Sequence, residues 1–483
     1  MRRSLALFLA VSLLAACTAT GAPVRSTTTV ASTTTDPAAP SAPPPADPDV
    51  DDVKDPVFDG LGDPRIDVSH YDVVVRADPG QPQIAGTATL TLAARTAKPL
   101  ASFTLDLRGP VVSAAKVDGK AATVAAGDPG EITLTPSRPL EPGVVTKVVL
   151  TYAGKPSKAK FPIGGVAEGW QADDRGGWFT MSEPGGTQSW VPVNDHPSDK
   201  ATWTITLDTP SHVVGVSNGR LVSRGRAGQR RRWVWETDQP MASYLVLVLV
   251  GNYDLVQRQG PADAKVVFAF PPKVSAADRK AFNELDGIVR FYSKTFGPYA
   301  DDDLGAVVAP TSLGLALETQ TRPLFGLHAL GEPQVWALAH ELAHQWFGNA
   351  VSPASWADVW LNESFATYAD WLYREHTGEA SIGDIAESET VESERAFAVL
   401  DPQAAREFDA AIYEGGARAL QALRVTVGDT NFFKILRRWF AENTGTSVTT
   451  EDFIALAEQV SGQDLRPFVD DWLRSADQPD LPR

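Results

Sequence analysis

The 483-residue sequence contains a single cysteine, Cys17, so an intramolecular disulfide cannot form. For the same reason, a zinc site built from pairs of cysteines is excluded. Basic residues are fewer than acidic ones: the sequence has 43 Lys and Arg and 60 Asp and Glu, which give a formal net charge of −17. Such a surface repels a phosphate backbone, so no nucleic-acid partner is expected. A chain of this length can bury a large core and corresponds to about three domain-sized units.

A long apolar run is missing from the N-terminus. Residues 5–16 are apolar or small and follow Arg2 and Arg3, but they are too few to span a bilayer. This pattern is typical of a signal peptide. The stretch ends in LAAC at 14–17, which resembles the bacterial lipobox. We therefore expect residues 1–17 to be a lipoprotein signal peptide, with the protein anchored by lipid on Cys17 at the outer face of the cytoplasmic membrane. An ordinary secretory signal, and a secreted protein, is the alternative.

Large apolar side chains are almost absent from residues 18–52, which are rich in Thr, Ala, Pro and Asp. Such a segment cannot bury enough surface to offset its chain entropy, so a disordered tether is expected. The folded part then changes character once. Residues 53–255 carry strand-like alternation and turn pairs such as Asn218-Gly219, whereas residues 256–483 favour helical spacing. The basic cluster at 230–232 is interpreted as a solvated hairpin arm.

The chemistry is concentrated in HELAH at 340–344. Positions i and i+4 share one face of a helix, so the imidazoles of His340 and His344 can point at one ion. Neutral imidazole suits Zn²⁺, and Glu341 is placed to act as a general base rather than as a ligand. Pro333 and Gly348 are expected to bound this helix. Two ordinary histidines beside a glutamate are the alternative interpretation.

A third ligand is available in Glu363, nineteen residues after His344. Asn362 is expected to cap the helix that carries Glu363, and Asp358 is either a carboxylate that orients a ligand imidazole or a solvated loop acid. Two histidines and one carboxylate leave a coordination position open, which is typical of a catalytic site.

Longer motifs resemble the M1 zinc aminopeptidases. HELAHQWFGN and WLNE carry the main resemblance, which extends from about residue 63 to residue 482. Three further segments add to it: LALET at 315–319 is similar to a degenerate form of that family's GAMEN exopeptidase motif, IYEGGA at 412–417 is similar to its YEKG segment, and WVPVNDHP at 190–197 is similar to a junction in its β-rich domain.

The resemblance implies a multidomain α+β protein. Its β-rich, saddle- or sandwich-like N-terminal domain would be followed by a thermolysin-like, mainly helical zinc catalytic domain. It implies one Zn²⁺ per chain on His340, His344 and Glu363. Glu341 would then be the general base, and Tyr413 would stabilise the oxyanion by hydrogen bonding.

The same resemblance implies peptide substrates with a free N-terminus. Glu318 would bind the α-amino group, and Glu183 stands near the place where relatives have a Gln that reaches the same amine. Backbone groups around Leu315 and Ala316 would hold the substrate extended.

The chain departs from the family pattern in two ways. Leu317, Thr319, Ser364 and Gly415 replace a Met, an Asn, a Gly and a Lys, respectively. The large C-terminal helical domain of many relatives is expected to be missing, which would open the cleft or leave it to be completed by a partner. Two other functions therefore stay open: a zinc endopeptidase on the same site, and a catalytically silent peptide-binding lipoprotein.

Overall fold

The structure is a computed structural model that describes residues 55–482, apart from 158–161, 164–165, 273, 275, 313, 315, 328–334, 389–396, 402 and 404–407. The expected signal peptide and tether lie outside the described residues. Within them, no helix is both long and apolar enough to cross a bilayer.

The first part of the chain is β-rich, as predicted. Its strands are β1 (Ile66–Arg76), β2 (Ile84–Ala94), β3 (Phe103–Asp106), β4 (Val111–Val117), β5 (Lys120–Ala121), β6 (Thr123–Ala126), β7 (Glu131–Thr135), β8 (Thr146–Gly154), β9 (Pro162–Ile163), β10 (Val166–Ala167), β11 (Gly169–Ala172), β12 (Trp178–Met181), β13 (Thr202–Pro210), β14 (Val214–Ser217), β15 (Arg220–Ala227), β16 (Arg230–Glu236) and β17 (Val248–Gly251).

Most of these strands form one large sheet with a smaller sheet beside it. The eight-stranded sheet has the order β15-β16-β13-β1-β2-β8-β4-β5, and the four-stranded sheet has the order β11-β12-β17-β14. β3, β7 and β6 form a further three-stranded sheet, and β9 and β10 form a pair. In the large sheet, β1 runs parallel to β13 and antiparallel to β2.

The sequence of β1 explains how the large sheet turns one face to the core. Ile66 and Val68 are buried at even positions, whereas Tyr71, Val73 and Val75 are buried at odd positions. A register shift between Val68 and His70 accounts for the change of parity, because one extra residue moves the following side chains to the other face.

The basic cluster at 230–232 lies in a hairpin formed by β15 and β16, as the sequence predicts. Arg230 pairs with Asp78 and Asp208, and the guanidinium of Arg231 lies 5.4 Å from the ring centre of Trp233.

The second part adds a five-stranded sheet with the order β18-β19-β20-β22-β21, which the sequence patterns did not predict. Its middle strands are apolar and buried on both faces, so periodicity alone does not distinguish them from helix. The strands are β18 (Asp254–Gln259), β19 (Lys265–Phe270), β20 (Asp303–Ala309), β21 (Ala316–Leu317) and β22 (Leu324–Gly326); β23 (Ser352–Pro353) pairs separately with β24 (Ser447–Val448).

Helices dominate the rest of this part. They are α1 (Ala276–Ala281), α2 (Leu285–Thr295), α3 (Val335–Ala343), α4 (Trp360–His376), α5 (Ile382–Ser388), α6 (Gly416–Val427), α7 (Asp429–Asn443), α8 (Thr450–Ser461) and α9 (Arg466–Trp472). The fold class predicted above is confirmed. The buried Phe432, Ile435, Leu436 and Trp439 give α7 its helical period. The domain boundary near residue 255 stays a prediction.

Aromatic packing holds α3 and α4 together. The rings of Phe347 and Phe365 lie 5.1 Å apart, and Trp346, Trp356 and Trp360 are almost fully buried. These tryptophans are therefore part of the core. The regular part of α3 ends at Ala343 rather than at Gly348, and the chain reaches Gly348 through further turns. Pro333 lies outside the described residues.

Candidate metal centre

Three predicted ligand side chains meet between α3 and α4. The Nε2 atoms of His340 and His344 are 3.0 Å apart, and the Glu363 Oε2 atom lies 3.5 Å from each of them. Three atoms at these separations can all lie about 2 Å from one ion, which is the bond length that zinc makes to imidazole nitrogen and carboxylate oxygen. The side chains of His344 and Glu363 are almost completely buried, whereas that of His340 is 20% exposed.

Asn362 fixes the orientation of His344. Its Oδ1 atom is 2.5 Å from His344 Nδ1, so Nδ1 carries the proton and donates it, and the Nε2 lone pair is free for a metal. The prediction that Asn362 caps the helix was wrong. The 3₁₀ turn Trp356–Asp358 leads directly into α4, which begins at Trp360 and has Val359 at its N-cap.

Gly348 is required by this contact. It has a φ of +110°, and a Cβ atom at this position would lie 1.9 Å from the Oδ1 atom of Asn362. A larger residue would therefore displace the side chain that orients His344.

Asp358 does not orient a ligand. Its Oδ1 atom accepts hydrogen bonds from the backbone N–H and the hydroxyl of Thr450, at 2.9 and 2.7 Å. It therefore joins the start of α8 to the turn before α4.

The protonation states of the candidate ligands are compatible with a bound cation. Burial lowers the pKa of His340 to about 4, so the imidazole is neutral at pH 7, the form that binds metals. Burial raises the pKa of Glu363 to about 7, although the neighbouring His344 and Tyr413 oppose the rise and Glu318 adds to it. A divalent ion would stabilise the ionised carboxylate, so the donor set fits zinc.

A second group of carboxyls lies beside these ligands. Oxygen atoms of Glu183, Glu318 and Glu363 lie within 4.8 Å of one another. Burial, followed by the charges of Glu318 and Glu363, raises the pKa of both Glu183 and Glu341 well above its usual range. The structure therefore brings the predicted Glu183, Glu318 and Glu341 into one buried, electronegative cluster.

Three amide side chains hold Glu318, and sequence reasoning missed this role for all of them. Gln345 and Asn349 donate to the Glu318 backbone oxygen at 3.1 and 2.8 Å, and Asn362 donates to its Oε1 atom at 3.3 Å. The signal was present in HELAHQWFGN and WLNE, which contain all three residues. These motifs therefore contain the residues that position Glu318 as well as the candidate metal ligands.

Lys200 supports the same loop from the β-rich part of the chain. Its Nζ atom donates to the backbone oxygens of Asn349 and Ala350 at 2.8 and 3.0 Å, and burial lowers its pKa to about 7. No motif in the sequence singles out Lys200.

Tyr413 lies beside the candidate metal ligands. Its ring centre is 6.1 Å from that of His340, and the tyrosine is one of the neighbours that oppose the rise in the pKa of the Glu363 carboxyl. Burial raises the pKa of Tyr413 well above its usual range, so the hydroxyl keeps its proton and can donate it in a hydrogen bond.

The predicted backbone site around 315–316 is described in part. Ala316 lies in β21, the edge strand of the five-stranded sheet, next to β22. An edge strand has free N–H and C=O groups that can pair with an extended peptide. Leu315 lies outside the described residues.

Two family profiles match the chain. The one described as the peptidase family M1 domain matches residues 333–472, and the one described as the peptidase M1 N-terminal domain matches residues 68–245. Curated relatives include Aminopeptidase M1-D of Oryza sativa subsp. japonica, which is 28% identical over 315 residues that cover 60% of this chain and 36% of the relative. Leucyl aminopeptidase of Saccharolobus solfataricus is 26% identical over 322 residues, which cover 61% of this chain and 40% of the relative. The chain thus spans less than half the length of these relatives.

A solved structure matches over a larger share of both chains than these curated relatives do. It is that of a mutant M1 zinc metallopeptidase from Deinococcus radiodurans, bound to the substrate Tyr-Ser-Ala. The TM-score is 0.82 and the sequences are 31% identical, over 89% of this chain and 99% of that chain. The β-rich part and the helical part therefore both follow the known fold.

Proposed function

Because the chain belongs to peptidase family M1, we propose that it is a zinc-dependent aminopeptidase that removes N-terminal residues from peptides. One Zn²⁺ would be held by His340, His344 and Glu363. When bound, it would supply Lewis-acid polarisation of the scissile carbonyl and of the attacking water.

The observation that supports an aminopeptidase most directly is the short distance between the two carboxyl groups and the candidate metal ligands. Oxygen atoms of Glu183 and Glu318 lie within 4.8 Å of an oxygen of Glu363. In a peptide, the α-nitrogen and the carbonyl carbon of the first residue are two bonds and about 2.5 Å apart. An ammonium held by these carboxylates would bring the first peptide bond, rather than a later one, to the metal.

The chain's own residues would carry the remaining steps. Glu341 would take a proton from the attacking water and pass it to the leaving amine, and its raised pKa makes it a stronger proton acceptor than an ordinary carboxylate. Tyr413 would donate a hydrogen bond to the oxyanion. Glu318 would pair with the α-ammonium group, and the Glu183 Oε1 atom is a buried acceptor without a partner among the described residues, so it could accept from the same cation.

Zinc content and a panel of amino-acid anilides test this function together. We expect about one zinc per chain, hydrolysis of the anilides, loss of activity with a chelator and recovery after zinc is returned. A protein that binds no zinc, or that binds zinc and cleaves no anilide, would contradict the proposal. Equal cleavage of N-acetylated and free peptides would instead indicate the endopeptidase.

Asn362 offers a test of the ligand geometry. We expect Asn362→Ala to weaken zinc binding by about 10- to 100-fold, because His344 loses the acceptor that fixes its Nδ1 proton and ring orientation. Competition with a calibrated chelator measures the affinity. Asp358→Asn is the matched control, since that side chain contacts Thr450, and it should leave zinc affinity unchanged. Equal effects of both changes would contradict the assigned role of Asn362.

We also propose that the protein is lipid-anchored to the outer face of the cytoplasmic membrane through Cys17. The proposal is supported by LAAC at 14–17, which lies outside the described residues. Cys17→Ser is expected to move the protein from the membrane fraction to the medium or periplasm and to prevent incorporation of labelled fatty acid. Unchanged fractionation would favour the ordinary secretory signal.

A further inference from the structure

We propose that Ser364 is a positioning residue for Tyr413, holding the peptide unit before Tyr413 against the helix that carries Glu363. The inference rests on the proposed function, because it concerns the tyrosine assigned to the oxyanion. The Ser364 hydroxyl donates to the backbone oxygen of Ile412 at 2.5 Å. Both residues are fully buried, so no water competes for this bond.

The two residues joined by this hydrogen bond are the sequence neighbours of Glu363 and Tyr413. Ser364 directly follows the candidate ligand Glu363, and Ile412 directly precedes Tyr413. The Ile412 carbonyl and the Tyr413 N–H belong to one planar peptide unit, so fixing the oxygen also fixes the direction in which the Tyr413 backbone leaves that unit. The bond thus links the backbone beside the candidate metal ligand to the backbone beside the tyrosine.

The segment that carries Tyr413 needs such support. Residues Ala411–Gly415 form a π-helical turn, which has less regular hydrogen bonding than an α-helix and is common at functional sites. On the far side of Tyr413, the Gln478 side chain donates to the Gly415 oxygen at 2.8 Å. The turn is therefore held from both ends, and the Ser364 hydroxyl connects it to α4 next to Glu363.

Gly416 makes room for this connection. A Cβ atom on Gly416 would lie 1.8 Å from the Ser364 Oγ atom and 2.5 Å from its Cβ atom. The backbone of α6 therefore approaches α4 closely only because residue 416 has no side chain, and the small Ser364 fills the remaining space. Ser364 is one of this chain's departures from the M1 motif.

A double-mutant cycle with Tyr413→Phe tests the proposal. With an anilide substrate, we expect Ser364→Ala to lower kcat about tenfold and to change KM by less than about twofold, because the lost hydrogen bond disturbs Tyr413 and leaves the Glu318 contacts intact. In the Tyr413→Phe background, Ser364→Ala should lower kcat by less than about twofold. Ser364→Gly, which also lacks the hydroxyl, serves as a second variant.

Ser217→Ala is the structural control. Ser217 is also fully buried, and its hydroxyl donates to the Leu247 backbone oxygen at 2.6 Å, in the β-rich part of the chain. It should lower thermal stability by an amount similar to Ser364→Ala without any coupling to Tyr413→Phe. Equal loss of kcat from Ser364→Ala in both tyrosine backgrounds would indicate a structural role only and would overturn the proposal.

A crystal structure of Ser364→Ala provides a readout that does not depend on activity. We expect the Tyr413 side chain to leave its position beside His340, where the two ring centres are 6.1 Å apart. A Tyr413 side chain that keeps this position would overturn the proposal. If the unmodified protein cleaves no anilide, the proposed function fails. The position of Tyr413 in the Ser364→Ala crystal structure still decides whether Ser364 positions Tyr413.

Discussion

Replacing Glu341 with glutamine is expected to lower kcat by about 10²- to 10⁴-fold while the protein keeps its zinc. Glutamine has nearly the shape of glutamate but cannot accept the proton from the attacking water. Glu341 is buried, and burial together with the charges of Glu318 and Glu363 raises its pKa, so its carboxylate is a stronger base than an exposed one. Steady-state kinetics on an amino-acid anilide measure kcat, and metal analysis of the same sample measures zinc.

Glu442→Gln is the matched control for this change. Glu442 lies in α7, its side chain is half exposed, and its partner is Arg438. A surface pair of this kind contributes little, so both kcat and zinc content should stay unchanged. Unaltered hydrolysis by Glu341→Gln would remove glutamate from the proposed base role. If the unmodified protein also fails to hydrolyse the panel, the silent peptide-binding lipoprotein becomes the better interpretation.

The candidate metal ligands could be predicted because their geometry is mostly local. In any helix, a separation of four residues places His340 and His344 on one face, and this does not depend on distant parts of the chain. Glu363 follows after a loop short enough to return a second helix to the first. The structure brings these three side chains together with 3.0–3.5 Å between their ligand atoms.

The error at Asn362 shows where local reasoning ends. Asparagine before a helical pattern is commonly an N-cap, and the sequence offers no sign that the preceding 3₁₀ turn continues directly into α4. That continuation places Asn362 inside the helix, where its side chain meets His344 instead of its own backbone. The contact further depends on Gly348, whose missing side chain leaves room for it.

Contacts between distant parts of the chain were harder still to predict from the residues. Glu183 follows β12 in the β-rich part, while Glu318 follows β21 in the second part, and only the packing of the two parts joins their carboxyls. Sequence pattern does not place Glu183 there, and only the resemblance to the M1 family suggested it. Lys200, which reaches the loop after α3 from the β-rich part, carried no recognisable signal for the same reason.

The second large effect is expected from Glu318→Gln, which should lower kcat/KM on peptides with a free N-terminus by about 100-fold. The change removes the charge that would pair with the α-ammonium group but keeps a side chain of the same size. The amides of Gln345 and Asn349 bond the backbone oxygen of residue 318, so the local backbone should keep its position. The loss is therefore expected in substrate recognition rather than in folding.

A pair of substrates distinguishes recognition of the amine from general damage to the site. An N-acetylated peptide has no α-ammonium group, so the slow rate at which the unmodified protein cleaves it should change by less than about threefold in Glu318→Gln. The ratio of kcat/KM for the free peptide to kcat/KM for the acetylated peptide should therefore fall by nearly as much as the expected loss of about 100-fold on the free peptide. Thr319→Ser changes the neighbouring residue but keeps the hydroxyl that donates to the Arg322 backbone oxygen, so it should preserve the preference. An equal loss on both substrates would mean that Glu318 supports the shape of the site and that another group binds the amine. A preserved preference in Glu318→Gln would transfer the amine-binding role to Glu183, whose Oε1 atom is a buried acceptor in the same cluster.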